Sequence, residues 1–201
     1  MAQLTPKTVR ALWSFLQRRY RSEVVDKRRA PEMWVAAWFV KRFAKIPVGV
    51  FMSRYATTIG RRIYVPFTIG QPTGGFDLWT QVVLAVHEHQ HVEQVKRHGW
   101  FRFVLRYLMS SRARAMFEAD AYRTALELEH WRSGRIPSPA HYARKLGDYG
   151  ASADDIRAAE QILISTARSI KRGAIITPAA KIAIAWLNEH APELKRRSDA
   201  N

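Results

Sequence analysis

Between Val83 and Gln94 the chain reads VLAVHEHQHVEQ, with three histidines and two glutamates set into an otherwise apolar run. No other stretch limits the fold so strongly. An element that carries it must either expose its apolar residues or take titratable groups inside, where they need partners. The spacing is that of metal ligands: His87-Glu88-His89-Gln90-His91 satisfies H-E-x-x-H. On a helix four residues make about one turn, so His87 and His91 share a face and can grip one cation. Glu88 is rotated by about 100° from His87 and can stand beside the metal as a base for bound water. His89 offers an alternative ligand, but it points away from the His87/His91 stripe and reads as a surface or packing histidine.

The chain contains no cysteine, so a metal must be held by His, Asp or Glu. A catalytic zinc site needs a third protein ligand and an open position. The extended H-E-x-x-H-x-x-G-x-x-H pattern is absent, because Gln94 stands where its glycine would be and Arg97 where its third histidine would be. His98 lies seven residues past His91, at the expected helix end, where the helix dipole favours a histidine in any case. Glu118, in RAMFEADAYRTALELEH, is the better candidate. Its helical neighbours include Ala115, Ala121, Tyr122 and Ala125, so it faces a close-packed partner, and an inward carboxylate needs a cation or donors. An ion pair with Arg114, one turn back, is the competing role. Asp120 shares its face with Arg123 and suits a surface ion pair, while Glu127 and Glu129 look solvated.

Apolar residues make up 47% of 201 residues, enough for a sizeable core and against wholesale disorder. The opening residues lack a signal-peptide core, and MWVAAWFV at Met33–Val40 is too short to span a bilayer. A soluble, cytoplasmic protein is expected, not an integral membrane one. A net charge of +16 favours electrostatic association with nucleic acid or anionic surfaces. The basic residues are dispersed, however, as solvated surface charge is.

The pattern is mostly helical. Thr5-Pro6 opens a helix to about Val25, with Val9, Leu12, Trp13, Leu16 and Tyr20 as its apolar stripe. A second helix, carrying Trp34, Trp38 and Phe39, runs from near Pro31 and fades before Pro47. In ATTIGRRIYVPFTIG the period changes: Gly60 suits a turn, Ile63, Tyr64 and Val65 suit a strand, and Pro66 makes that strand short or an edge. Asp77 can cap the helix that bears the histidines. Further helices are expected over Trp100–Met109, Arg112–Trp131, Ser152–Lys171 and from Thr177-Pro178 to Glu189, followed by a frayed LKRRSDAN tail. The aromatic-basic helix Trp100–Met109, with Arg102 and Arg106, reads as a core helix with snorkelling arginines.

HEHQH followed after a short helix by FEADAY resembles the gluzincin arrangement of thermolysin-like zinc metallopeptidases. It is most similar to small zincin-like domains of bacteria, phages and contractile injection particles, which pair an H-E-x-x-H-V-x-Q helix with an E-A-D segment. The resemblance covers about Ala56 to Trp131. It implies Zn2+ held by His87, His91 and Glu118, Glu88 as general base, and a peptide or protein substrate added as a strand along Ile63, Tyr64 and Val65. It departs from the thermolysin pattern in having Tyr122, not aspartate, four residues after the glutamate, while Asp120 at plus two fits the smaller domains. Tyr122, His98 and Tyr64 are the candidates for oxyanion stabiliser.

The fold class expected is α+β, predominantly helical, zincin-like, with a small twisted sheet beside the active helix. Residues 1–50 supply N-terminal helices, 51–132 the metal-binding core and 133–201 a helical extension, together one compact domain. The function expected is peptide hydrolysis by zinc-activated water. The rival reading is a non-catalytic zincin-like binding module whose basic surface holds nucleic acid or a particle scaffold. A third reading is peripheral attachment to anionic membrane through the tryptophan-bearing N-terminal helices.

Overall fold

Thr5 begins the first helix, α1 (Pro6–Tyr20): its hydroxyl accepts from the Thr8 backbone N–H at 3.2 Å, and Pro6 takes the first helical position. This is a computed structural model, and it describes residues 3–44 and 47–195. Helix α1 stops five residues short of the expected Val25. Arg21 turns left-handed, with φ 51°, and Glu23–Asp26 leaves as a strand, β1. The β-branched pair Val24-Val25 finds its partner some forty residues away, a contact that helical spacing does not reveal.

Helices α2 (Pro31–Ala44) and α3 (Val48–Arg54) follow, then a hairpin of β2 (Thr57–Ile59) and β3 (Arg62–Val65), turning at Gly60 with φ 65°. The sheet order is β1-β3-β2, with β1 parallel and β2 antiparallel to β3. The strand containing Ile63, Tyr64 and Val65 is therefore short, as Pro66 requires, but central rather than at an edge. Both of its sides are paired and all three residues are buried. It cannot accept an added strand, and the expected substrate-binding role of Ile63, Tyr64 and Val65 is overturned. Strand β1 covers the side of β3 left free by the hairpin.

Asp77 caps α4 (Leu78–His98), accepting from the Thr80 N–H at 2.6 Å. Then come α5 (Trp100–Met109), α6 (Ser111–Ser133), α7 (Pro139–Lys145), α8 (Ala153–Lys171) and α9 (Pro178–His190). The architecture is α+β and predominantly helical. Helix α4 lies at its centre, packed against α1, α5, α6, α9 and β2, and every residue from Ala85 to Val92 is buried. The largest apolar cluster joins Trp13 and Leu16 of α1 to Val82 and Val86 of α4 and to Ile184 and Leu187 of α9. A second cluster sits between α6 and α8, around Leu126, Leu146 and Leu163. The first and last helices, α1 and α9, thus share one core with the histidine-bearing helix α4. Among the described residues no helix is long and apolar enough to cross a membrane. The frayed end expected for the tail lies, beyond Lys195, outside the described residues.

Candidate metal centre

A polar helix at the centre of a protein is tolerated only if each buried group finds a partner. Helix α4 meets that demand position by position. The Gln81 amide accepts from the Gly70 N–H at 2.8 Å and donates to the Gln71 and Phe76 carbonyls. His89 is fully buried on the side away from the other histidines. Its Nδ1–H donates to the Ala85 carbonyl at 2.6 Å, so its Nε2 accepts from the Ser22 hydroxyl at 2.9 Å. Burial holds its pKa down to about 4, so it is a neutral packing histidine.

His87 and His91 share the opposite face and meet Glu118 of α6. The His87 Nε2–Glu118 Oε2 and His91 Nε2–Glu118 Oε1 distances are both 3.5 Å, and all three residues are buried. One ligand atom from each residue lies within 4.8 Å of the other two, so the group could hold one metal ion. Glu118 Oε2 is buried without a hydrogen-bond partner. Burial pushes the Glu118 carboxyl up, but the adjoining His91 and His87 outweigh it and hold the group ionised, well below the usual range. Burial likewise opposes charge on His91, yet Glu118, with smaller help from Glu88 and Gln94, raises it to about 9. The pocket therefore demands positive charge beside Glu118, and without an ion a protonated histidine supplies it.

The groups behind the candidate ligands are fixed in turn. Gln94 Nε2 donates to the Phe117 carbonyl and to Asp120 Oδ2, both at 2.9 Å, so its amide oxygen must face His91 Nδ1, also at 2.9 Å. His91 thus carries a proton on Nδ1 in either charge state, and Nε2 is the atom turned to the centre. The Tyr107 hydroxyl donates to Glu118 Oε1 at 2.6 Å and orients the carboxylate. Asp120 does pair with Arg123 at 3.1 Å, as expected, but it also receives the amides of Gln90 and Gln94, tying α4 to α6. Arg114 turns away from Glu118 to the Tyr107 and Tyr149 carbonyls, which removes the competing ion pair.

Glu88 projects beside the ligands, where the Thr58 hydroxyl of β2 donates to its Oε2 at 2.7 Å. His87, Glu88, His91 and Glu118 together line a cleft of about 280 Å³, bounded by β2, α5 and Ala36 of α2. Of the three expected oxyanion candidates none lines it. Tyr64 donates to Glu32 at 2.8 Å, within another cluster. His98 packs on Phe117, with ring centroids 5.3 Å apart. Tyr122 lies against the His87 ring at 5.1 Å, and its hydroxyl pairs with Tyr149. The tyrosines that do line the cleft, Tyr107 and Tyr149, lie on α5 and in the turn after α7. Sequence spacing gave no signal for either, because each reaches the site through tertiary packing.

Two further expectations fail for the same reason. Glu127 is buried, accepting from the N–H groups of Ile176 and Thr177 and from the Thr177 hydroxyl at the start of α9. Glu129 receives the Trp79 indole N–H. Partners about fifty residues distant bury Glu127 and leave Glu129 half-buried, where helix-end positions suggest bulk solvent. No protein family, no curated protein and no solved structure matches the chain, so its chemistry is carried by this geometry.

Proposed function

We propose that the protein is a zinc-dependent peptidase of gluzincin type, with His87, His91 and Glu118 as ligands and Glu88 as general base. The observation that carries the reading is Glu118 Oε2, buried without a hydrogen bond and 3.5 Å from His87 Nε2. A carboxylate in that position is best stabilised by an ion shared with both imidazoles. Zinc, when bound, supplies Lewis acidity and lowers the pKa of a coordinated water. The chain's own residues do the rest. Gln94 keeps the His91 proton on Nδ1, Tyr107 orients Glu118, and Thr58 aims the Glu88 carboxylate into the cleft, where it takes a proton from water and passes it to the leaving amine. The substrate chemistry that fits is a peptide or protein segment entering the cleft between β2 and α5.

The test is metal analysis combined with peptide hydrolysis. Wild type should hold one zinc per chain, and His87→Ala, His91→Ala and Glu118→Ala should lose it. Glu88→Gln should keep the metal and lose hydrolysis by about 10²–10⁴-fold. Hydrolysis undiminished in Glu88→Gln would remove Glu88 from the mechanism, and a metal-free wild type would remove the centre.

A further inference from the structure

Ten large apolar side chains stand exposed among the described residues, and eight of them belong to two helices, α2 and α5. On α5, Phe101, Leu105, Leu108 and Met109 recur at helical spacing and are 47–77% exposed. Its inner face holds Phe103 against Phe117 and Tyr107 against Glu118. The helix expected to be a core element with snorkelling arginines is therefore apolar on two sides. On α2, Trp34, Val35 and Trp38 are each more than half exposed. The two helices border the same cleft, through Ala36 on one and Trp100, Val104 and Leu108 on the other.

Along α5 and its flanks the charge is all of one sign, while α2 carries one exposed carboxylate, Glu32, engaged by Tyr64 and Arg62. From Met33 to Phe76, and again from Gln94 to Phe117, the chain has no aspartate or glutamate. Lys96, Arg97, Arg102, Arg106 and Arg112 are all exposed beside or along α5. On α5, exposed aromatic and aliphatic residues interleaved with arginine, without acidic residues, match the boundary between lipid headgroups and acyl chains. Two copies of a chain carrying +16 repel one another, which disfavours self-association through the patch. Nucleic acid satisfies the arginines but gives no reason for exposed leucine and methionine, which neither stack on bases nor pair with phosphate.

We infer that the face formed by α2 and α5 docks on anionic lipid bilayers, with α5 lying in the plane of the surface beside the mouth of the metal cleft. Ten residues of α5 are too few to cross the bilayer, so attachment is peripheral. Apolar residues enter the headgroup boundary, and the arginines contact lipid phosphates. This inference goes beyond the peptidase reading and does not rest on it.

The experiment is co-sedimentation of the full chain with vesicles of equal parts phosphatidylcholine and phosphatidylglycerol, with pure phosphatidylcholine alongside, each with and without a chelator. The protein should sediment with the mixed vesicles, at least about tenfold more weakly with the neutral ones, and equally with chelator present. Phe101→Glu/Leu105→Glu should weaken binding at least about tenfold with an unchanged melting curve. Arg102→Gln/Arg106→Gln, which leaves the apolar stripe intact, should weaken it and flatten its salt dependence. Failure to bind mixed vesicles, or equal binding by Phe101→Glu/Leu105→Glu, overturns the proposal. So does a dimer that this double variant dissociates, or duplex DNA binding that it weakens as much.

Discussion

Thr58 and Glu88 meet across the gap between β2 and α4, hydroxyl to carboxylate at 2.7 Å, and so a three-residue strand aims the proposed catalytic base. Thr58→Val removes the donor at nearly constant volume. Peptide hydrolysis should fall about tenfold, the equivalent of roughly 1.4 kcal/mol, while zinc content stays at the wild-type level. Steady-state kinetics with metal analysis on the same sample reads both quantities.

Metal affinity should depend on residues that never touch the ion. Tyr107→Phe frees the Glu118 carboxylate, and Gln94→Ala frees the His91 ring. Each should weaken zinc binding about 10–100-fold in competition with a chromophoric chelator. For wild type, zinc at about a thousand times its Kd should add about 4 kcal/mol to folding stability, and stripping the metal should lower the melting temperature correspondingly.

Lys27 sets a pH dependence. Its ammonium is fully buried, donating to the Phe51 and Tyr55 carbonyls and the Thr57 hydroxyl at 2.8–2.9 Å. Burial pushes its pKa down to about 7, with Glu88 opposing. Between pH 7 and the ordinary lysine value the unfolded chain therefore binds the proton and the folded chain does not, so stability from this group rises with pH over that window. Below pH 7 both states are charged, and the group contributes no slope. The melting temperature of wild type relative to Lys27→Met should climb from pH 7 towards pH 10; a flat difference would exclude a lowered Lys27 pKa.

Glycine is favoured at position 60 for two reasons. Its φ of 65° is left-handed, and a side chain there would stand 3.3 Å from the Trp100 ring. Gly60→Ala should cost about 1–2 kcal/mol and lower the melting temperature by several degrees in calorimetry.

How much of this was legible in the sequence depended on distance along the chain. The helix starts at Thr5, Asp77 and Ser152 and the turn at Gly60 follow from contacts within four residues, and these elements fold as their local chemistry dictates. His87, His91 and Glu118 could be chosen as one group because each lies on a helix whose phase is set locally. The sheet order could not be read, since Val24 and Val25 join β3 only in three dimensions and turn an expected edge into a centre. Nor could the burial of Glu127, or the entry of Tyr107 and Tyr149 into the cleft, because the helical phase of α6 does not say what α5, α9 and the turn after α7 lay against it.

The grip of Lys27 on Thr57 reaches further than its effect on stability. The three proposed ligands belong to α4 and α6, whereas the strand that aims Glu88 is anchored by a residue from the first thirty of the chain. Capturing an ion and using it therefore answer to different segments. Lys27→Met would leave every proposed donor atom for zinc in place yet loosen the brace for the proposed base, and metal content would then be a poor proxy for competence.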